Sequence, residues 1–264
     1  MKKGYELIGS KEKAVAILEI REEEKDKELS IAKKLLEENK FIASVIRKDS
    51  KRIGEFRNRK YTLLAGSENT EVIHKEHGFV LKLDPQKTYF SSREGTERQR
   101  IAKQVKPNEI VMVMFAGIGP YAVAIGKKQP NVKKIISIEI NPNAVDFMKY
   151  NIRANKLSHK IIPILGDVKK VSDEWFGKCD RIVMPLPLHS ADFLEIAAKC
   201  AKKGGVIHFY SWGNKADGSI FAAPRKIIDE KLKNLNVKYK IIGERKVLPY
   251  APGRYKVCIE IMVD

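Results

Sequence analysis

The chain has 264 residues, enough to bury a substantial core and to form one large or two modest domains, of which two are expected. Its formal net charge of +18 predicts a polyanionic partner, with nucleic acid favoured over an anionic membrane surface. No apolar stretch is long enough to span a bilayer, and the three cysteines include no Cys-x-x-Cys pair, which predicts a cytoplasmic protein with neither a disulfide framework nor a cysteine zinc site.

Residues 1–103 lack a regular strand-helix alternation and are predicted to form a small α/β domain. Apolar periodicity predicts a strand, an amphipathic helix and a second strand at residues 14–20, 26–39 and 41–46. Farther along, residues 79–83 and 88–90 flank Asp84-Pro85, a sequence typical of a turn. A β-hairpin is therefore predicted between those two segments.

Predicted strands and helices alternate along residues 104–264, as is typical of a doubly wound, Rossmann-like sheet. Strands are predicted at residues 110–115, 134–139, 161–165, 180–185 and 205–210, and helices at 120–128, 142–154 and 190–202. Gly204-Gly205 is expected to end the last helix, and residues 237–247 and 255–263 predict a closing antiparallel hairpin. An antiparallel end to a parallel sheet resembles class I S-adenosylmethionine-dependent methyltransferases, whereas dehydrogenase domains generally continue parallel.

The first predicted strand of this unit leads into a glycine turn. Gly117 and Gly119 allow a tight turn and a close approach of the backbone to a ligand. Glu139 ends the next strand, where a carboxylate accepts hydrogen bonds from ribose hydroxyls. The spacing therefore predicts a nucleotide-cofactor site for either NAD or S-adenosylmethionine.

Two further strand ends are expected at the same crevice. Asp167 closes the third strand, where it either reaches the cofactor or simply caps the following turn. The fourth strand ends in Met184-Pro-Leu-Pro187, and these prolines direct a rigid turn and backbone carbonyls into the place where a substrate would lie. A plain turn without substrate contact is the alternative.

Ordered motifs along nearly the whole chain make the functional prediction more specific. In the second unit they are Phe115-Ala-Gly-Ile-Gly-Pro120, Ile140-Asn-Pro-Asn143, Asn151-Ile-Arg-Ala-Asn155, Gly204-Gly-Val-Ile-His-Phe-Tyr210 and Tyr250-Ala-Pro252. In the first they are Gly54-Glu-Phe-Arg57-Asn-Arg59, Leu64-Ala-Gly66, Glu76-His-Gly78 and Tyr89-Phe-Ser-Ser-Arg93-Glu-Gly-Thr-Glu97-Arg98. Together they resemble the archaeal and eukaryotic family of tRNA (guanine-37-N1)-methyltransferases.

The resemblance implies S-adenosylmethionine as the cofactor and assigns roles to particular residues. Cofactor contacts are expected from Phe115, Gly117, Gly119, Glu139, Ile140, Asp167, Val168, Met184 and Pro187. Arg57 would contact the target base and Glu97 would be the general base, since guanine N1 carries a proton at neutral pH. Arg98 would hold the Glu97 carboxylate. The alternative for Glu97 and its basic neighbours is a surface ion-pair cluster at helical spacing.

Two positions depart from the family pattern. Val113 stands where the family usually has Asp, which removes a polar contact beneath the cofactor. Pro185-Leu-Pro187 replaces Asn-Leu-Pro, so the side-chain amide that would recognise guanine is lost. The change makes Pro185 a catalytic-site candidate and resembles an archaeal subgroup that methylates a ring carbon of the wyosine intermediate 4-demethylwyosine, alone or in addition to guanine.

The expected partner is the anticodon loop of tRNA, bound by a monomer that needs neither a metal nor a membrane. Basic and aromatic residues expected to contact the RNA are Arg52, Arg59, Tyr89, Arg93 and Arg98. An extra N-terminal domain found in many family members is expected to be missing. The alternatives are an aminocarboxypropyl transferase of the wyosine pathway, a noncatalytic RNA-binding module and, more remotely, a dehydrogenase.

Overall fold

The computed structural model describes residues 5–20, 22–49 and 59–264, beginning with a four-stranded sheet. Its elements are β1 (Tyr5–Gly9), β2 (Ala14–Leu18), α1 (Glu28–Glu38), β3 (Ile42–Lys48) and β4 (Tyr61–Gly66). The strand order is β1-β2-β3-β4, in which β2 and β3 are parallel and the outer pairs are antiparallel. Parallel strands need a crossover, and α1 provides it by packing Ala32 and Leu35 against Val45. The predicted strands and helix are confirmed.

A β-hairpin and a helix follow: β5 (Val72–Glu76), β6 (Phe79–Leu83) and α2 (Gly95–Gln104). The predicted hairpin between residues 79–83 and 88–90 is wrong, because β6 pairs antiparallel with β5, the strand that precedes it in the chain. His77 and Gly78 have φ of 43° and 82°, which suits a two-residue turn that requires positive φ at both positions. Asp84 begins a turn in which Thr88 N donates to its carbonyl at 2.9 Å.

The remaining elements build the main sheet. They are β7 (Ile110–Met114), α3 (Pro120–Lys128), β8 (Lys134–Glu139), α4 (Pro142–Ala154), β9 (Ile161–Leu165), α5 (Val168–Val171), β10 (Cys179–Met184), α6 (Leu194–Cys200), β11 (Ala201–Asn214), α7 (Ala222–Asn234), β12 (Tyr239–Ala251) and β13 (Arg254–Val263). The order is β12-β13-β11-β10-β7-β8-β9, parallel from β9 to β11 and antiparallel at β13 and β12. The Rossmann-like sheet and its closing hairpin are confirmed.

The segment after residue 190 differs from the prediction. Helix α6 ends at Cys200, and Gly204-Gly205 lies inside β11 instead of ending a helix. A β-carbon at Gly205 would stand 2.8 Å from the Lys202 carbonyl oxygen and 3.0 Å from that of Cys179, so the glycine permits a close approach of backbone segments. Helix α7 was not predicted.

Two buried asparagines join the hairpin to the main sheet's helices. Asn151 accepts from Lys82 N at 2.6 Å and donates to the Lys82 and Ile118 carbonyls at 3.1 and 3.0 Å. Asn155 accepts from Val80 N at 3.1 Å and donates to the Val80 carbonyl at 2.7 Å. The side-chain amides of Asn151 on α4 and of its C-cap residue Asn155 thus hydrogen-bond to the backbone groups of β6 that do not pair with β5. The expected division at residues 103 and 104 stays a prediction.

Among the helices in the described ranges, none combines the length and the apolar character needed to cross a bilayer.

Candidate active site

The turn after β7 forms the floor of the predicted cofactor cleft. Phe115, Gly117 and Gly119 all have positive φ, at 54°, 57° and 85°. A β-carbon at Gly119 would stand 2.9 Å from Met148 Cγ, so α4 packs where any side chain would lie. A β-carbon at Gly117 would have only the Tyr89 carbonyl oxygen nearby, at 3.8 Å. The turn therefore leaves room above Gly117 for a ligand.

Glu139 lies beside this turn at the end of β8. Its two carboxylate oxygens accept from Gly117 N at 2.7 Å and from Asn141 N at 2.8 Å. Burial raises the pKa of Glu139 above its usual value, while the backbone N–H groups of Asn141 and Gly117 act in the opposite direction. Each oxygen keeps a further acceptor position, so the oriented carboxylate fits a ribose-bearing cofactor.

The other predicted cofactor residues occupy neighbouring strand ends on the same edge. Asp167 caps α5 by accepting from Lys169 N at 2.9 Å, as the alternative reading expected, and its half-buried side chain lies at the exit of β9. Phe115 packs edge-on against Phe193, with the ring centroids 4.7 Å apart. The remaining predicted residues are buried or half-buried around these: Ile140, Val168, Met184 and Pro187.

The exit of β10 is held by a residue that sequence reasoning missed. Lys256, on β13, is 4% exposed and donates from Nζ to the Pro185 carbonyl at 3.0 Å and to Glu94 Oε1 at 2.8 Å. The ammonium also lies 4.9 Å from the centroid of the Tyr210 ring. The only signal in the sequence is a lysine within an apolar strand, because the strand, its partner acid and the proline lie far apart in the chain.

Glu97, the predicted general base, lies on α2 with its carboxylate fully engaged. It accepts from the Tyr210 hydroxyl at 2.5 Å and from Arg100 at 2.7 and 2.8 Å. Burial raises the pKa of Tyr210 well above its usual value, so its hydroxyl stays a proton donor. Glu97 also lines a cleft of about 540 Å³ between α2 and β12.

A second tyrosine links the two acidic groups. The Tyr121 hydroxyl lies 3.4 Å from Glu94 Oε2 and 3.5 Å from the Tyr210 hydroxyl. Polar contacts consequently run from Glu97 through the two tyrosines to Glu94, and from there through Lys256 to the exit of β10. The predicted base and the predicted acceptor subsite are therefore parts of one buried network.

Arg98 does not hold Glu97, and that prediction is wrong. Its buried guanidinium donates to Glu76 at 2.8 and 2.5 Å and to the Ser91 carbonyl at 3.1 Å. Although burial alone would raise the pKa of Glu76, hydrogen bonds from His74 and Arg98 lower it to about 2. At 1% exposure Arg98 offers no surface to RNA, because α2 turns it inward and places Arg100 beside Glu97 instead.

The predicted RNA-contacting residues lie in different settings. Tyr89 is 41% exposed near the glycine turn, Arg93 is exposed with Nη2 3.4 Å from the Pro249 carbonyl, and Arg59 is half-buried. Arg47, on β3, is ion-paired with Glu28. Arg52 and Arg57 lie outside the described residues.

One group of side chains in the described part of the chain has metal-ligand chemistry. The potential ligand atoms of His208, Cys258 and Glu260 lie within 4.8 Å of one another. However, Glu260 accepts from Arg100, and the Arg181 guanidinium approaches His208 Nε2 at 2.7 Å. Two guanidinium groups beside the cluster oppose a further cation.

Comparison with known proteins places this geometry in a family. The TRM5/TYW2 methyltransferase domain model matches residues 72–242, and the TYW2 N-terminal domain model matches residues 1–70. The chain belongs to the TRM5/TYW2 methyltransferase family. The resemblance drawn from the motifs is confirmed, as are the predicted fold class and the prediction of an enzyme.

Three curated relatives show the range of reactions around this chain. The tRNA (guanine(37)-N(1))-methyltransferase Trm5b of Pyrococcus abyssi is 38% identical, over 98% of this chain and 74% of the relative. The tRNA 4-demethylwyosine(37)-methyltransferase Taw21 of Saccharolobus solfataricus is 33% identical, over 79% and 78%. The tRNA(Phe) (4-demethylwyosine(37)-C(7)) aminocarboxypropyltransferase of Methanocaldococcus jannaschii is 36% identical, over 87% and 93%.

Two solved structures add ligands to the comparison. The complex of aTrm5 with tRNALeu matches with a TM-score of 0.85 and 37% identity, over 99% of this chain and 72% of that one. The TYW2 protein of M. jannaschii, solved with AdoMet, matches with a TM-score of 0.73 and 28% identity, over 99% of both chains.

Proposed function

We propose that this protein is an S-adenosylmethionine-dependent tRNA methyltransferase that acts on the purine at position 37. The acceptor is a ring carbon of 4-demethylwyosine, alone or together with guanine N1. The printed activities of the methyltransferase relatives support the position and the reaction, and a relative bound to tRNA supports the substrate class. The net charge of +18 suits a polyanionic substrate.

The observation that carries the choice of acceptor is the chemistry at the exit of β10. Pro185 has no N–H to donate, and its carbonyl already accepts from Lys256. Leu186 and Pro187 continue the exit with half-buried apolar side chains. A guanine edge would find little hydrogen bonding there, whereas the larger apolar surface of a tricyclic base would be buried favourably.

The glycine turn and Glu139 would hold the cofactor. Gly117 leaves space for its adenosine half, and the Glu139 carboxylate would accept from the ribose hydroxyls. Phe115, Ile140, Asp167, Val168, Met184 and Pro187 complete the proposed contacts. When bound, the sulfonium cofactor supplies an electrophilic methyl group. The AdoMet complex of a relative supports this choice over NAD.

Glu97 remains the proposed proton acceptor. Guanine N1 must lose its proton to become nucleophilic, while a ring carbon loses its proton after the new carbon–carbon bond has formed. Arg100 and Tyr210 hold the Glu97 carboxylate in one orientation, and polar contacts through Tyr210 and Tyr121 connect it with Glu94 and the β10 exit. The roles of Arg57 on the target base and of Arg52, Arg59, Tyr89 and Arg93 on RNA stay predictions, as do a monomeric state, metal independence and a cytoplasmic location.

Mass spectrometry of tRNA tests the proposed function. Purified protein and S-adenosylmethionine are incubated in parallel with tRNAs carrying guanine or 4-demethylwyosine at position 37. We expect the 4-demethylwyosine nucleoside to gain the mass of one methyl group in place of hydrogen. Product on guanine alone would overturn the acceptor argument, and gain of an aminocarboxypropyl group would identify the alternative transferase.

The same assay applied to Pro185→Asn isolates the exit of β10. The new amide offers a donor and an acceptor to a guanine edge, so the ratio of guanine product to 4-demethylwyosine product should rise about tenfold. Leu188→Asn is the matched control, since Leu188 is 47% exposed in the same loop and its replacement should leave the ratio unchanged. Equal ratios in both variants would contradict a role for Pro185.

Glu97→Gln should lower kcat by ~100-fold while leaving the KM for tRNA nearly unchanged, because an amide cannot accept the proton. Steady-state kinetics on the preferred acceptor measure both constants. Glu195→Gln, which changes an exposed glutamate paired with Lys199 on α6, should keep the original kcat. An active Glu97→Gln enzyme would eliminate this residue as the base.

Glu139→Gln should raise the Kd for S-adenosylmethionine about tenfold, since a neutral amide makes weaker hydrogen bonds with ribose hydroxyls. Isothermal titration calorimetry measures the change. Asp146→Asn, on the exposed face of α4, provides the control and should bind as tightly as the original protein. Unchanged affinity in Glu139→Gln would remove Glu139 from the cofactor site.

A further inference from the structure

An aromatic pair projects from the end of the closing hairpin. Trp212 on β11 and Tyr250 on β12 flank β13, with ring centroids 4.4 Å apart and an angle of 42° between the planes. Tyr250 is 67% exposed, and Trp212 is half-buried beneath it. The outer face of the Tyr250 ring is thus exposed to solvent, while its inner face packs on Trp212, which β11 holds in place.

Two cations lie beside the pair. Arg93 Nη2 is 3.4 Å from the carbonyl of Pro249, the residue before Tyr250, and Arg254 pairs in register with Ala251, the residue after it. Lys215 and Lys246 lie 5.8 and 5.1 Å from the centroid of the Tyr255 ring, on the opposite face of β13, because side chains alternate along a strand and Trp212 pairs with Lys256. We call Trp212, Tyr250, Arg93 and Arg254 the aromatic rim. Its positive charge favours an anionic partner.

The aromatic rim borders the acceptor side of the site. Trp212 pairs in register with Lys256, whose ammonium donates to the Pro185 carbonyl. Strand β11 runs parallel to β10, so its last residues lie on the sheet edge that also carries the glycine turn and the β10 exit. A ligand that enters the acceptor subsite therefore passes next to the aromatic rim.

We propose that the aromatic rim stacks an unpaired nucleobase adjacent to the base being modified, while its cations bind the neighbouring phosphates. This inference rests on the proposed function for the identity of the RNA. A base taken out of a loop leaves its neighbour without a stacking partner, and an exposed aromatic face replaces that partner for any base. Arginine side chains beside a stacking surface suit single-stranded RNA, whose phosphates follow each base closely.

Binding measurements with an anticodon stem-loop test the proposal. Tyr250→Ala should raise the Kd for this RNA about tenfold, and Tyr250→Phe should restore the original affinity because stacking needs only the ring. Tyr150→Ala is the matched control, since Tyr150 is 40% exposed on α4 and should not affect binding. S-adenosylmethionine affinity should be unchanged in all three variants.

Abasic RNAs identify the contact itself. Removing the base on one side of the target nucleotide should weaken binding to the original protein by the same factor as Tyr250→Ala. Combining that RNA with Tyr250→Ala should cause no further loss, because both changes remove one interaction. Additive losses with both the 5′ and the 3′ abasic RNAs would overturn the stacking proposal.

Tryptophan fluorescence gives a second readout. The chain has two tryptophans, so Trp175→Phe leaves Trp212 as the reporter. The stem-loop should quench its emission, whereas inorganic polyphosphate, which lacks bases, should not. Methyl transfer is measured on the same samples. If Tyr250→Ala binds the stem-loop as tightly as the original protein while methylation is observed, the stacking proposal is refuted and the proposed function stands. If binding depends on Tyr250 but no methylation is observed, the proposed function is refuted and the stacking proposal stands.

Discussion

One buried ammonium group connects the parts of this molecule on which its chemistry depends. Lys256 on β13 joins Glu94, just before α2, to the carbonyl of Pro185 at the exit of β10. A buried charge is tolerated only when it is paired and hydrogen-bonded, and removal of either partner leaves the other charge uncompensated. The position of the β10 exit is thereby tied to the segment that carries the proposed base.

On the same face of the sheet, this buried polar network extends to Arg100 and Glu260. Arg100 bridges Glu97 on its own helix and Glu260 on β13, while Tyr210 on β11 donates to Glu97. These contacts hold α2 against the antiparallel end of the sheet. The proposed base, the β10 exit and the aromatic rim are therefore held by the same part of the structure, the antiparallel end of the sheet and α2 packed against it. The cofactor turn lies on the parallel part of that sheet, where the methyl donor is proposed to meet the acceptor.

Local patterns explain what could be predicted from the sequence. The glycine turn, Glu139 and the main strands follow from short-range periodicity and from the spacing of one strand, turn and helix. The hairpin was mispredicted because Asp84-Pro85 is a stronger turn signal than His77-Gly78, although the latter pair adopts the required positive φ. Whether Arg98 or Arg100 contacts Glu97 depends on the orientation of α2, and the spacing of these residues in the sequence does not specify that orientation. Lys256 and the Trp212–Tyr250 pair depend on contacts between distant segments.

The most direct test of this account separates the positioning role of Lys256 from its contribution to stability. Lys256→Met alone should destabilise the protein by leaving Glu94 buried without its partner, and Lys256→Met combined with Glu94→Gln should recover stability. For the double variant we expect normal S-adenosylmethionine affinity but about a tenfold lower kcat/KM on 4-demethylwyosine tRNA, because the Pro185 carbonyl is no longer held. A double variant as stable and as active as the original protein would contradict the account.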